Sequence, residues 1–264
     1  MSGAQSLFRL DGKTALVTAG AGGFGQAISL GLAESGANVM VTDIDETAAQ
    51  SLSERIRSHG SRSLSAACDV TDAAQIEEVV QRTLKEFGQI DILVNIACAA
   101  VLTPILEMSE SDFERTMSSC LRAAFLLSKS VGREMVSRGA GGSIVHISSI
   151  AGSRALGRGT GIYAASKAGV NALVRELAVE LGPHQIRVNA VAPCQFRTPP
   201  LLKLLDNPKF GGREQLAAKM TSRIPLGRMG EPEELVGPCL FLASEAASMV
   251  TGHVLFVDGG FMAY

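Results

Sequence analysis

The sequence predicts an α/β chain, a single doubly wound (Rossmann-type) domain whose mainly parallel seven-stranded sheet carries helices on both faces. Three observations predict it. Short apolar, β-rich runs alternate with stretches of helical period along the whole chain, the pattern of parallel strands joined by crossover helices. A glycine-rich turn separates the first strand from the first helix, where doubly wound sheets bind ligands. The 264 residues are 46% hydrophobic with 28 glycines, enough for an extensive core and several tight turns. Composition does not shift along the chain, so residues 1–264 read as one domain without linker or repeat.

Strands are expected at 14–18, 38–42, 63–67, 92–94, 143–147, 187–191 and 254–257, each short and largely apolar, as suits strands covered on both faces. The first helix follows the glycine-rich turn with Ile28, Leu30 and Leu32. A later one presents Ile76, Val79, Val80, Leu84 and Phe87 on one face, and another presents Phe113, Met117, Leu121, Ala124, Leu127 and Val131. Between 193 and 213, Pro193, Pro199, Pro200, Pro208 and the Gly211-Gly212 pair break regular elements. Residues 194–222 are therefore expected to form an irregular or helical segment, within the same domain, covering a substrate crevice.

Charge narrows the partners. With 24 Lys and Arg against 26 Asp and Glu, the net charge of -2 gives no electrostatic case for nucleic acid or a membrane surface, which leaves small molecules or copies of the chain itself. No apolar run approaches the ~18 residues of a spanning helix, and Arg9, Asp11 and Lys13 stand where a signal peptide would be apolar, so the chain reads as cytoplasmic. The five cysteines, Cys68, Cys98, Cys120, Cys194 and Cys239, lack a CxxC pair and read as reduced thiols. The histidines His59, His146, His184 and His253 lack ligand spacing, so no metal site is expected and packing is their role.

The turn Thr18-Ala19-Gly20-Ala21-Gly22-Gly23-Phe24-Gly25 satisfies G-x-G-x-x-G through Gly20, Gly22 and Gly25. Glycines there let backbone N–H groups approach a pyrophosphate, and the following helix N-terminus stabilises its charge. Asp43 closes the second strand, where a carboxylate accepts hydrogen bonds from an adenosine ribose and repels a 2'-phosphate, favouring NAD as cofactor over NADP. A helix-capping role competes for Asp43, although Asp45 could serve as that cap.

Tyr163 and Lys167 stand four residues apart on an expected helix, hence on one face. Lowering a phenol from a pKa near ~10 to roughly 7 to 8 requires about 3 to 4 kcal/mol. One ammonium at ~4 Å, with an effective dielectric of ~20, supplies about 4 kcal/mol.

From Tyr163-Ala164-Ala165-Ser166-Lys167 outward the sequence resembles the short-chain dehydrogenase/reductase family over essentially its whole length. The family's T-G-x-x-x-G-x-G turn is similar to Thr18 to Gly25, including Gly23 and Phe24. Its Asp-Val adenine contact resembles Asp69-Val70, and its N-N-A-G turn resembles Asn95-Ile96-Ala97-Cys98. Its P-G-x-x-x-T segment under the nicotinamide resembles Pro193-Cys194-Gln195-Phe196-Arg197-Thr198. The resemblance implies a catalytic serine at Ser149, with Ser148 the rival, and Tyr163 as general acid/base. It also implies that Lys167 holds the nicotinamide ribose and that the protein is a homotetramer. Ala19, Ile96, Cys98 and Cys194 depart from the pattern, and Cys120 occupies the place of the asparagine that completes the family's catalytic tetrad.

Together these features imply an NAD-dependent oxidoreductase interconverting a secondary alcohol, such as a polyol or hydroxy acid, and its ketone. The alternatives are a 3-oxoacyl-thioester (acyl-carrier-protein) reductase and a catalytically impaired NAD-binding regulatory or structural protein. Arg154, Arg158 and Arg197 are candidates for an anionic substrate group, against a plain solvent-exposed role.

Overall fold

The computed structural model describes residues 3–157, 159–206 and 212–263. Seven strands form one sheet in the order β3-β2-β1-β4-β5-β6-β7, and every adjacent pair is parallel. They are β1 (Thr14–Thr18), β2 (Asn38–Asp43), β3 (Ser63–Ala67), β4 (Ile92–Asn95), β5 (Gly142–Ile147), β6 (Ile186–Pro193) and β7 (Val254–Val257). Four of them run one to three residues beyond the lengths expected from sequence, most at β6, which carries its pairing with β7 through Pro193. Proline is tolerated there because it ends the strand.

Crossover helices cover both faces. They are α1 (Gly23–Glu34), α2 (Glu46–Ser58), α3 (Ala73–Phe87), α4 (Glu110–Met117), α5 (Ala123–Arg138), α6 (Gly161–Leu181), α7 (Pro199–Leu205), α8 (Arg213–Thr221) and α9 (Val236–Ala243). Local chemistry sets their ends. Asp72 accepts hydrogen bonds from the N–H groups of Ala74 and Gln75 to start α3, and Gly88, at φ 82°, ends it in the left-handed conformation that a Cβ would strain.

Alternate residues of each strand feed two cores. Ala15, Val17, Val39, Val41 and Val94 pack with Ile28, Leu52, Ile56 and Leu242 on one face. Leu16, Met40 and Leu93 pack with Ile76, Val80, Leu127, Val131 and Val174 on the other. Burial on both sides explains why β1, β2, β4, β5 and β6 read as apolar runs, whereas the edge strands β3 and β7 are only partly buried, contrary to the expectation for all seven. On the first face α1 and α9 touch closely, for a Cβ on Gly31 would lie 2.2 Å from Val236 Cγ1.

Two features differ from the expectation. The helix carrying Phe113 to Val131 is interrupted by a π-helical turn at Ser118–Arg122, where the Ala123 N–H reaches back to the Ser118 carbonyl. Pro199 and Pro200 start α7 instead of breaking structure, because proline at the first helical positions has no N–H that needs a partner. Pro208 and Gly211 lie outside the described residues, whereas Gly212 precedes α8. Among the described residues no helix is long and apolar enough to cross a membrane.

Candidate active site

The C-terminal ends of β1, β4, β5 and β6 meet where the strand order reverses, the place at which open parallel sheets form a crevice. Four segments converge there.

The first is the glycine-rich turn. Ala19 takes a left-handed φ of 48°, the conformation in which glycine costs least, so its departure from the family pattern carries local strain. A Cβ on Gly25 would fall 2.1 Å from the Ala19 carbonyl oxygen, and one on Gly20 would fall 2.9 Å from Val41 Cγ1. These two glycines are needed for the turn to pack on its own strand and helix. Gly22, by contrast, is exposed, with its nearest neighbour at an ordinary 3.4 Å. No side chain among the described residues caps α1. The turn is thus closed inward and open outward, with helix N–H groups toward the crevice, which fits a dinucleotide's pyrophosphate.

Asp43, at the tip of β2, accepts hydrogen bonds from the Ala21 N–H (3.1 Å) and the Asp45 N–H (3.1 Å). Asp45, not Asp43, caps α2 by accepting from Ala48 N–H at 3.0 Å. The Asp43 carboxylate is therefore tied beside the turn while keeping lone pairs for a ribose. Asp69 accepts both the N–H (2.9 Å) and the hydroxyl (2.7 Å) of Thr71 through one oxygen, shaping the turn into α3, and Val70 is buried in the core.

The second segment follows β4. Thr18 donates its hydroxyl to Asn95 Oδ1 (2.8 Å) and accepts from the N–H groups of Ile96 and Ala97. Asn95 Nδ2 meets His146 Nδ1 at 3.1 Å, and His146 Nε2 meets Ser128 Oγ at 3.0 Å. A neutral imidazole protonated at Nε2 satisfies this chain of donors and acceptors. Burial, reinforced by the Lys167 charge, pushes His146 down to about 3, so the ring stays neutral. The Asn95 side chain is thereby committed to positioning the turn. This buried Thr18-Asn95-His146-Ser128 chain was not read from the sequence, since its members lie in four distant stretches with no common spacing.

The third segment carries the expected catalytic residues. Ser149 leaves β5 with its hydroxyl accepting from the Ala151 N–H (3.1 Å) and hydrogen-bonded to Tyr163. Ser148 points elsewhere, donating to Asn171 Oδ1 at 2.6 Å. Tyr163 and Lys167 lie one turn apart on α6, with Nζ 5.8 Å from the phenol ring centre and donating to the Ile147 carbonyl at 2.7 Å. Two glycines bring α6 this close. A Cβ on Gly152 would lie 2.8 Å from the Lys167 backbone, and one on Gly169 would lie 2.9 Å from Leu121 in the π-helical turn.

The electrostatics differ from the simple pair expected. Burial pushes the Tyr163 phenol above its ordinary value; Lys167 and the Ser149 hydrogen bond pull it down, while nearby Cys98 and Cys120 push it up further, and the net direction is upward. Burial would lower Lys167, but Cys98, Tyr163 and Cys120 overcome it and hold the ammonium above its usual range. A lone ammonium beside the ring would lower the phenol, but desolvation of the ring and the neighbouring sulfurs together outweigh it.

Those sulfurs are a pair. Cys98 follows β4 and is exposed, Cys120 sits in the π-helical turn and is buried, and the two sulfurs are 2.6 Å apart. Cys194 does not join them; its thiol donates to the Asp258 carbonyl at 3.3 Å, and burial pushes it up to about 11.

The fourth segment follows β6. Phe196 is buried and meets the Phe24 ring edge-on at 5.5 Å, and a Cβ on Gly23 would lie 2.9 Å from Pro199 Cδ. Phe196, Thr198 and Pro199 thus run beside the glycine-rich turn, and Pro193 ends β6 ahead of them. Arg197, considered for an anionic substrate group, pairs instead with Glu231 at 3.3 Å, and Arg158 lies outside the described residues. No cluster of three potential metal ligands occurs among the described residues.

Residues 19–262 match a protein-family model described as Enoyl-(Acyl carrier protein) reductase. The chain is 38% identical to D-threitol dehydrogenase of Mycolicibacterium smegmatis, over 96% of this chain and 94% of that one. It is 37% identical to 5-keto-D-gluconate 5-reductase of Escherichia coli, over 98% of each. Among solved structures, a gluconate 5-dehydrogenase from Burkholderia cenocepacia in complex with NADP and tartrate superposes with a TM-score of 0.92 at 34% identity, covering 99% of this chain and 100% of that one. A 7α-hydroxysteroid dehydrogenase complexed with NADH superposes with a TM-score of 0.90 at 35% identity, covering 98% of each. With the family's serine, tyrosine and lysine brought together at the end of β5, and relatives of this identity along nearly the full length, the chain belongs to the short-chain dehydrogenase/reductase family.

Proposed function

We propose that this oxidoreductase interconverts a secondary alcohol of a polyol or sugar-acid substrate and its ketone, with NAD as cofactor and Tyr163 as general acid/base. The observation that carries the reading is the arrangement at the end of β5. Lys167 is anchored to the Ile147 carbonyl beside a Tyr163 that is hydrogen-bonded to Ser149. Relatives named for threitol and keto-gluconate support the substrate class.

Gly20, Gly22, Gly23, Phe24 and Gly25 would hold the pyrophosphate, Asp43 the adenosine ribose, Asp69 and Val70 the adenine, and Lys167 the nicotinamide ribose. Asn95, Ala97, Pro193, Phe196 and Thr198 would shape the nicotinamide end. When bound, oxidised nicotinamide supplies the hydride acceptor and a positive charge. Tyr163 accepts the substrate hydroxyl proton, and Ser149 donates a hydrogen bond to the oxygen as it becomes a carbonyl. Lys167 stabilises the phenolate against the burial that otherwise keeps the phenol protonated. In the reverse direction Tyr163 returns the proton.

Asp43 and the absence of Lys or Arg between Thr18 and Gly25 support NAD over NADP. The same residues weigh against reduction of an acyl thioester with NADPH, although the family model's description and a 3-oxoacyl-[acyl-carrier-protein] reductase from Thermotoga maritima at 38% identity keep it as the second reading. Exposed Phe113, Phe125 and Val179 on α4, α5 and α6 support self-association, proposed as a homotetramer and tested by light scattering, where a monomer mass would contradict it.

The deciding experiment supplies polyols, sugar acids and 3-hydroxyacyl thioesters with NAD+ or NADP+ and follows formation of the reduced cofactor. Turnover of a polyol or sugar acid with NAD+ is expected. Turnover confined to acyl thioesters with NADP+ would replace the reading with the second one.

A further inference from the structure

From the placement of two sulfurs that the proposed reaction does not use, we infer that Cys98 and Cys120 are an oxidative modification site. There a hydroperoxide converts the two thiols into one intrachain disulfide inside the active-site crevice.

Geometry carries the inference. The sulfurs lie 2.6 Å apart although 22 residues separate them in sequence. The two segments that bear them are laid side by side by further bonds: Ala99 N–H donates to Ser119 Oγ at 3.0 Å and Val101 N–H to Thr116 Oγ1 at 3.1 Å. Closing an S–S bond of roughly 2.05 Å therefore asks for a small side-chain movement and no rearrangement of the backbone. Access is arranged in sequence, with Cys98 exposed to the crevice and Cys120 buried behind it. The other three cysteines have no such neighbour: Cys68 and Cys239 are buried, and Cys194 faces the Asp258 carbonyl.

The environment also supplies a thiolate. The hydrogen bond from Cys98, together with the Lys167 charge, pushes Cys120 down to about 6 against the cost of burial, while Cys98 is pushed up, so the pair shares one proton at neutral pH. Ser166 and Ser119 add hydrogen bonds to Cys120. Cys98 is the sulfur that carries the proton and donates it toward the Cys120 thiolate, so passing that proton across to Cys120 frees the exposed Cys98 sulfur to attack.

In the first step Cys98 passes its proton to the Cys120 thiolate and its sulfur attacks one oxygen of the hydroperoxide. An S–O bond forms, the O–O bond breaks, and the departing alkoxide or hydroxide takes a proton from solvent water to leave as alcohol or water, while the pair's own proton stays on Cys120. In the second step the Cys120 sulfur attacks Cys98. The S–S bond forms, the S–O bond breaks, and hydroxide leaves with the Cys120 proton as water. Two thiols lose two electrons, and the hydroperoxide gains them. The reduced pair sets a negative charge beside Lys167, whereas the disulfide sets none.

The test reads the protein's own mass and so stands or falls separately from the proposed reaction. Fully reduced native protein is treated with hydrogen peroxide alongside a free-thiol peptide, then alkylated after denaturation and cleaved with trypsin without reduction. The tryptic segments 86–115 and 116–122 are expected as one linked species that dithiothreitol separates, with Cys68, Cys194 and Cys239 alkylated. Cys120→Ser is expected to lose the link and to trap a sulfenic acid on Cys98, detected as its dimedone adduct, while Cys98→Ser loses both. Recovery of Cys98 and Cys120 as separately alkylated thiols, when the free-thiol peptide is fully oxidised, would overturn the inference. Separate oxidation of each to sulfinic acid would overturn it equally.

Discussion

Lowering the pH from 7 to 5 should destabilise the fold through one residue, His146. The ring is buried at 1% exposure, held between Asn95 and Ser128, and depressed from 6.5 to about 3 by burial and by Lys167. Its folded value lies below its unfolded value. Between the two the unfolded chain binds the extra proton, so stability falls as pH drops through 6.5 toward 3. Integrated from pH 7 to pH 5, the linkage amounts to about 2 kcal/mol, a large share of a typical domain's stability. Urea unfolding of wild type and His146→Gln at both pH values and one protein concentration isolates the residue, since glutamine keeps a donor and an acceptor but does not titrate. Wild type should lose about 2 kcal/mol more than the variant over this interval. Equal losses in the two proteins, or an imidazole NMR titration in the folded protein centred above pH 5, would refute the reasoning.

Three further outcomes are expected. Tyr163→Phe should abolish turnover while leaving NAD affinity within a few-fold, and Lys167→Ala should damage both; retention of more than about a tenth of wild-type kcat by Tyr163→Phe would remove it as the base. Asp43→Ala should weaken NAD binding and relax discrimination against NADP, measured by titrating both cofactors, and an unchanged ratio would show that the carboxylate does not read the ribose. Gly31→Ala should cost about 1–3 kcal/mol in chemical denaturation because its Cβ would enter Val236, and Val236→Ala in the same chain should restore most of that loss.

The sheet was legible because its signal is local. The inner strands, buried on both faces, must be short apolar runs, and all seven strands lie where the sequence places them, the partly exposed edges β3 and β7 included. The grouping of Ser149, Tyr163 and Lys167 was legible through a family spacing, and of the two serines it is Ser149 that bonds Tyr163 while Ser148 bonds Asn171. What escaped was whatever depends on contact between remote segments. Nothing in the spacing of Cys98 and Cys120 placed one sulfur against the other, and nothing joined His146 to Thr18. The π-helical turn at Ser118–Arg122 was invisible because a single i→i+5 turn has no residue signature of its own. The direction of the Tyr163 shift escaped for a related reason, since desolvation depends on everything packed around the ring.

The strand order also bears on how the chain is made. β1, which precedes the other six described strands in the chain, stands in the interior of the sheet, with two strands on one side of it and four on the other. The emerging polypeptide builds one wing through β3, then reverses at β4 and builds the other. The glycine-rich turn, Ser149, Tyr163 and Lys167 all precede the end of β6 in the chain, whereas β7 arrives about 60 residues after β6 ends. At ordinary elongation rates that interval is roughly 3–13 s. For that time the apolar β6 shows an unpaired edge to other nascent chains, a template for wrong pairing. Residues 254–257 are thus the cap that ends this exposure, and substitutions there should depress soluble yield more than they depress the activity of molecules that do fold.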